Sequence, residues 1–220
     1  MESNAKQKFD KNCEDINKLL EFHESSGGSS PGRRYGLEVL NKSAVVLICA
    51  IWEAYCEDIA AEGLEHIVNY ATSSDNLSTE IKKQVAKSVK DDQNQLAVWS
   101  LADDGWRNYL RNRLTQLQEK RNRQLNTPIT VNIDKLFDES LAIKNISHSW
   151  RWKKMSATQA ALKLDKYINL RGSIAHRGSA SETVKKQQVE AFLKHVQQIV
   201  DIIESVVFTY ITQITSQDSY

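Results

Sequence analysis

The stretch "SAVVLICAIWEAYCEDIAA", residues 43–61, is the most apolar run of this 220-residue chain, and its reading decides the fold. Between Ala44 and Trp52 it is apolar nearly all round, then it meets Glu53. That core of nine residues falls far short of the ~20 that a bilayer-spanning helix needs. It therefore predicts a helix buried at the centre of a folded domain rather than in a membrane. The rest of the chain agrees. Two prolines and eight glycines leave few breaks. Long runs carry the 3.6-residue period, and alternating apolar/polar segments are scarce, so the expected class is all-α.

Composition bounds the function. With 40% hydrophobic and 26% charged residues, the chain reads as a soluble globular protein, not a disordered one. Its net charge of +1 excludes a strongly basic nucleic-acid binder, so any anion-binding surface must be local. Cys13, Cys49 and Cys56 form no CxxC, and an odd number of scattered thiols suits a reducing compartment. "MESNAKQKFDKNCEDINKLL" (1–20) lacks an apolar signal core. A cytoplasmic location is expected.

Outward from residues 43–61, core helices are predicted at about 3–24, 37–71, 156–175 and 184–214, in one domain over 1–220. The first carries Phe9, Ile16, Leu19, Leu20 and Phe22 on its apolar side. The glycine- and serine-rich "ESSGGSSPGRRYG" (24–36) is a loop. Ser156 and Gln159 form a capping-box pattern at the start of the third core helix. The fourth shows a stripe through Val189, Phe192, Val196, Ile199, Ile203, Val206 and Tyr210. Residues 73–155 read as a helical insertion between the two core pairs. It has a lysine-rich helix at about 78–91 capped by Ser78 or Asn76, and a basic helix over 106–125. "IDKLFDESLAI" (133–143) reads as short turns and "SHSWRWKKM" (147–155) as a loop.

The chemistry concentrates in "NLRGSIAHRG" (169–178). Ala161, Leu164, Ile168, Arg171 and Ala175 follow one another at spacings of 3, 4, 3 and 4, the seam of a packed helix. Arg171 stands where a hydrophobe is expected, so its guanidinium must be paired or face a cleft or interface. His176 lies five residues on. On a continuous helix the two diverge by about 140°, so their meeting requires the helix to end or tighten between Gly172 and Gly178. Guanidinium beside imidazole suits phosphodiester chemistry: one holds the phosphate oxygens and the other moves a proton. The bland alternative is a helix-end histidine interacting with terminal carbonyls.

Glu53 is a natural partner for Arg171, either as a staple between helices or as a group orienting the site. Glu57 and Asp58, one turn on, read as a solvated face. Trp52 and Tyr55 read as core, not as base-stacking platforms. Arg107, Arg111, Arg113, Lys120, Arg121 and Arg123, interleaved with Trp106 and Tyr109, form a basic stretch, and Arg151, Lys153 and Lys154 a second one. With Arg177 these are candidates for gripping RNA, against the alternative of an ordinary solvated face. His23, His66, His148 and His195 lack metal-ligand spacing, Cys49 and Cys56 read as buried small hydrophobes, and no metal or cofactor motif is present.

"RGSIAHRG" (171–178) resembles the R-x4-H signature of the HEPN superfamily. "VVLICAIWEAYCEDIAAEGL" (45–64) resembles the WEAY-x-ED type helix of its RiboL-PSP branch. The resemblance implies an antiparallel helical bundle that dimerises. It also implies, as in many such proteins, a metal-independent endoribonuclease serving as a toxin or antiviral effector, restrained by an antitoxin or regulatory partner. On that likeness Arg171 and His176 match the two signature positions, and Gly172 stands where many HEPN nucleases carry a polar residue. One histidine per chain does not easily act as both base and acid, and two across a two-fold axis divide the roles. One takes the 2′-OH proton and the other protonates the leaving 5′-oxygen, leaving a 2′,3′-cyclic phosphate and a 5′-hydroxyl. The competing expectation is a catalytically silent helical module that recruits partners or binds a nucleotide.

Overall fold

The computed structural model describes residues 2–26, 36–119, 127–177 and 183–215, without the side chains of residues 26, 176 and 177. Among them are seven α-helices and no strand. They are α1 (Asn4–Ser26), α2 (Glu38–Tyr70), α3 (Thr79–Lys90), α4 (Gly105–Glu119), α5 (Thr130–Leu141), α6 (Ala157–Arg177) and α7 (Lys186–Thr215). The long α2 is the axis, and α1, α4, α5, α6 and α7 all pack on it. This is what an all-round apolar helix requires. Ala44, Val45, Ile48, Cys49, Trp52, Tyr55 and Cys56 are all buried.

The polar atoms of the two central aromatics of α2 are paired. Trp52 Nε1–H donates to the Pro128 carbonyl at 3.0 Å, and its ring meets Trp150 edge-on at 6.2 Å. The Tyr55 hydroxyl donates to the Val200 carbonyl at 3.1 Å. Both aromatics are core, as their helical spacing predicts. Glu62 of α2 accepts the backbone N–H groups of Asn4 and Ala5, capping α1 with a carboxylate from another helix.

Four local expectations are revised. Residues 133–143 belong to a helix, α5, and not to short turns. The start of α5 lacks a local side-chain cap. Asp165 of α6 instead accepts from Thr130 N–H at 2.8 Å and from its hydroxyl at 2.9 Å, a cap 35 positions away that no local pattern announces. In the 147–155 segment Trp150 is fully buried, so a stretch read as loop supplies core. On α1 Phe22 is 64% exposed, while Ala5 and Cys13 lie inside. On α7 the buried line runs Ile203, Val207, Ile211, Ile214, with Val206 and Tyr210 only half-buried. A strict seven-residue repeat drifts by ~20° per heptad on a straight helix, which moves the buried face on by one residue.

The insertion is integral to the core. Ile81, Leu110, Ile133, Phe137 and Trp150 join the same apolar cluster as α2 and α7. No helix among the described residues is long and apolar enough to cross a membrane.

All three cysteines are free and buried. Burial pushes the Cys13 thiol up to about 11 and Cys49 up to about 12, and raises Cys56 too. The native protein should therefore give no thiol titre with Ellman's reagent at pH 8, and three per chain once unfolded in guanidinium. A rapid native titre would show that α2 opens locally.

Candidate active site

The capping box at the start of α6 forms as its sequence requires. Gln159 N–H donates to Ser156 Oγ, and Ser156 N–H donates back to Gln159 Oε1. From there Ala160, Leu164 and Ile168 are buried against the bundle, with Ala161 only half-buried beside them. Arg171 continues that seam. It is half-buried, and its Nε is enclosed with no hydrogen-bond partner. Ala175, the next seam position, is exposed. The seam thus opens at Arg171.

Across from it stands α2. The Arg171 guanidinium lies within Coulombic reach of both Cys49 and Glu53. Burial and the neighbouring Glu57 raise the Glu53 pKa, and Arg171 lowers it. Glu57 itself is buried, which revises its reading as part of a solvated face; Asp58 is half-buried and pairs with Lys8 at 3.4 Å. Among the described residues the site therefore sets Arg171 against Glu53, with the Glu57 carboxylate one turn further along α2.

The helix does not break where the meeting of Arg171 and His176 requires it. α6 runs as regular α-helix through Arg177, so the two positions stay about 140° apart round one axis and about 7.5 Å apart along it. Gly178 lies outside the described residues, as do the side chains of His176 and Arg177. Among the described residues, nothing fills the arc between the two positions. Ala175 is exposed, and a Cβ on Gly172 would meet nothing within 4 Å. A phosphate, or the same helix of a second chain, can approach that floor closely.

A raised carboxylate pKa has a definite sign in stability. Below the ordinary value of 4.5 the folded and unfolded chains both hold the Glu53 proton. As pH climbs from there through the raised value, the folded chain must release a proton it binds more tightly, and stability falls. Glu53→Gln should therefore melt slightly higher than wild type at pH 7, with the advantage fading towards pH 4. A lower melting temperature at pH 7 would show that the attraction to Arg171 outweighs the cost of burial.

The basic candidates separate. The Arg107 guanidinium donates to the carbonyls of Val68 at 2.7 Å and Ala71 at 2.5 Å, and to Asp104 at 3.1 Å. It ties off the C-terminal end of α2 rather than waiting for phosphate. Arg113 has an enclosed Nη1, and burial lowers its pKa despite Tyr210, Asp138 and Glu139 nearby. Trp106 is buried, and the Tyr109 hydroxyl bonds Ser100 Oγ at 2.8 Å, so neither offers an open stacking face. Arg111 is exposed beside Asn108. Arg121 and Arg123 lie outside the described residues. Distance also matters: Cys49 to Val68 is 19 residues of α2, roughly 28 Å, so Arg107 sits far from Arg171. Arg151, Lys153 and Lys154 are exposed on a turn closed by the Trp152–Met155 bridge.

Lys163 and Lys166, with Asn169 and Ser173, line a groove between α6 and the start of α7 that no motif announces. Their signal was a polar stripe at spacings of three and four. No group of three or more His, Cys, Asp or Glu among the described residues is placed to hold a metal ion. His195 is buried with Nε2 3.0 Å from the Ala160 carbonyl, and burial lowers its pKa.

An all-α bundle built on one central apolar helix, with R-x4-H on the helix before last, defines a HEPN-type domain. A family model described as RiboL-PSP-HEPN matches residues 9–208, and the chain belongs to that family. The match takes in the 73–155 segment as well as the two regions that carry the resemblance. No curated protein and no solved structure matches the chain.

Proposed function

We propose that this protein is an endoribonuclease that cleaves RNA without a metal ion, as a homodimer, at a site built from Arg171 and His176. Membership of a family whose domains are commonly ribonucleases supports the class. The observation that carries the reading is Arg171. A cation with an enclosed, unpartnered Nε in an otherwise apolar seam costs stability, at the edge of a floor bare enough for a phosphate. In this reading Arg171 binds the non-bridging oxygens and stabilises the charge of the transition state. Glu53 orients it. In this reading the 140° between Arg171 and His176 is bridged across two chains, each floor receiving the partner chain's helix. The His176 imidazoles divide the base and acid roles, giving a 2′,3′-cyclic phosphate and a 5′-hydroxyl. A toxin or antiviral effector held by an antitoxin or regulatory partner is the matching physiological role.

The same divergence favours a second reading, a silent dimerisation or nucleotide-binding module in which Arg171 only holds an interface. The test is incubation of purified protein with structured RNA in excess EDTA, beside His176→Ala. Cleavage in EDTA that the variant loses supports the enzyme. No cleavage, or cleavage that the variant retains, refutes it.

A further inference from the structure

We propose that the groove between α6 and α7 is the track along which single-stranded RNA reaches the Arg171–His176 position. This rests on the ribonuclease reading and adds the substrate's path. The groove has a volume of about 490 Å³ and is open to solvent. Lys163, Lys166, Asn169 and Ser173 line it from α6, Gln188 faces them from α7, and Tyr167 lies in its wall. None of the described lining residues is acidic. Of the described carboxylates nearby, Asp165 caps α5 through Thr130, and Glu190 pairs with Lys186 at 3.2 Å. The described lining therefore carries positive charge, although the whole chain is nearly neutral.

The register of α6 gives the groove a direction. Positions 163, 166, 169, 173 and 176 succeed one another at spacings of 3, 3, 4 and 3, so one edge of the helix carries the polar stripe to the position of His176. From Lys163 to Ser173 the edge is about 15 Å long. At its other end Lys163 lies near His195, on whose ring Trp152 packs at 5.4 Å. Ammonium groups for phosphates, an amide and a hydroxyl for the 2′-OH, and one aromatic wall are what sequence-tolerant binding of a single strand uses. The basic stretch of α4, by contrast, is tied to the far end of α2.

The experiment uses the full chain in the His176→Ala background, so that RNA is bound and not cut. A 12-mer oligouridylate is titrated from 50 to 300 mM salt. Lys163→Glu/Lys166→Glu should weaken binding at least tenfold. Lys163→Gln/Lys166→Gln, a milder change, should lower the slope of log affinity against log salt by about 1.4, the release of two single-strand counterions. Lys87→Glu/Lys90→Glu on α3, with the same charge change, should leave both nearly unaltered. An unchanged slope in the glutamine variant overturns the track, and so does an equal loss in the α3 control. If the parent binds no RNA, the ribonuclease reading falls with it; if the parent binds and the groove variants bind equally, only the track falls.

Discussion

His176→Ala should reduce RNA cleavage by roughly 10²–10⁴-fold, the range lost with a general acid–base group. Arg171→Met should reduce it by roughly 10²–10³-fold, the range for one electrostatic donor at the transition state. The two variants should part company in stability. Arg171 occupies the seam that Leu164 and Ile168 fill with hydrocarbon, and its enclosed Nε has no partner. Methionine keeps the length, fills the seam and removes an orphaned donor, a gain of about 1 kcal/mol. For a chain of this size that raises the melting temperature by about 2–4 °C. A residue kept for chemistry costs stability, and removing it should show both effects at once. A thermal melt and a gel-based cleavage assay decide the matter. A destabilised Arg171→Met that still cuts would make Arg171 a structural staple between α2 and α6.

Trp52→Ala should be the most damaging single change to the fold. The side chain is fully buried at the middle of α2. Its removal leaves a cavity beside Trp150 and Tyr55 and strips the Pro128 carbonyl of its donor. Truncating a buried tryptophan costs about 3–5 kcal/mol, a large part of the ~5–15 kcal/mol that holds a domain together. The melting temperature should fall by about 6–20 °C. Urea midpoints should fall with the m-value unchanged. Trp99→Ala is the control, because Trp99 is 74% exposed and its loss should shift stability by no more than about 0.5 kcal/mol. Equal effects from the two would refute a core centred on α2.

How far the site was legible differs from residue to residue. Arg171 was visible as a cation at a hydrophobic position, and Glu53 as the charge that ends the apolar run. Glu57 was misread, because its burial depends on what packs over α2 and not on its neighbours in sequence. Arg107 and Arg113 looked like grip for RNA because composition counts charges without showing where they end. One ties off α2 through the Val68 and Ala71 carbonyls, and the other is enclosed near Tyr210 and Asp138. The groove lysines were overlooked for the converse reason: two lysines on a helix mean little until α7 supplies the opposite wall.

By itself the sequence determined the helical class, the central place of α2, the approximate extent of α6 and α7, and the buried state of Cys49 and Cys56. Each follows from hydrophobic period and local capping, which are encoded within a few residues. Only the tertiary structure decided that 130–141 is a helix, that Trp150 is core, and that α6 stays regular through Arg177, with positions 171 and 176 about 140° apart round its axis. Those outcomes turn on partners far along the chain, such as the Asp165 carboxylate over the start of α5 and the Trp52 ring against Trp150. Local pattern carries no information about what will lie across from it.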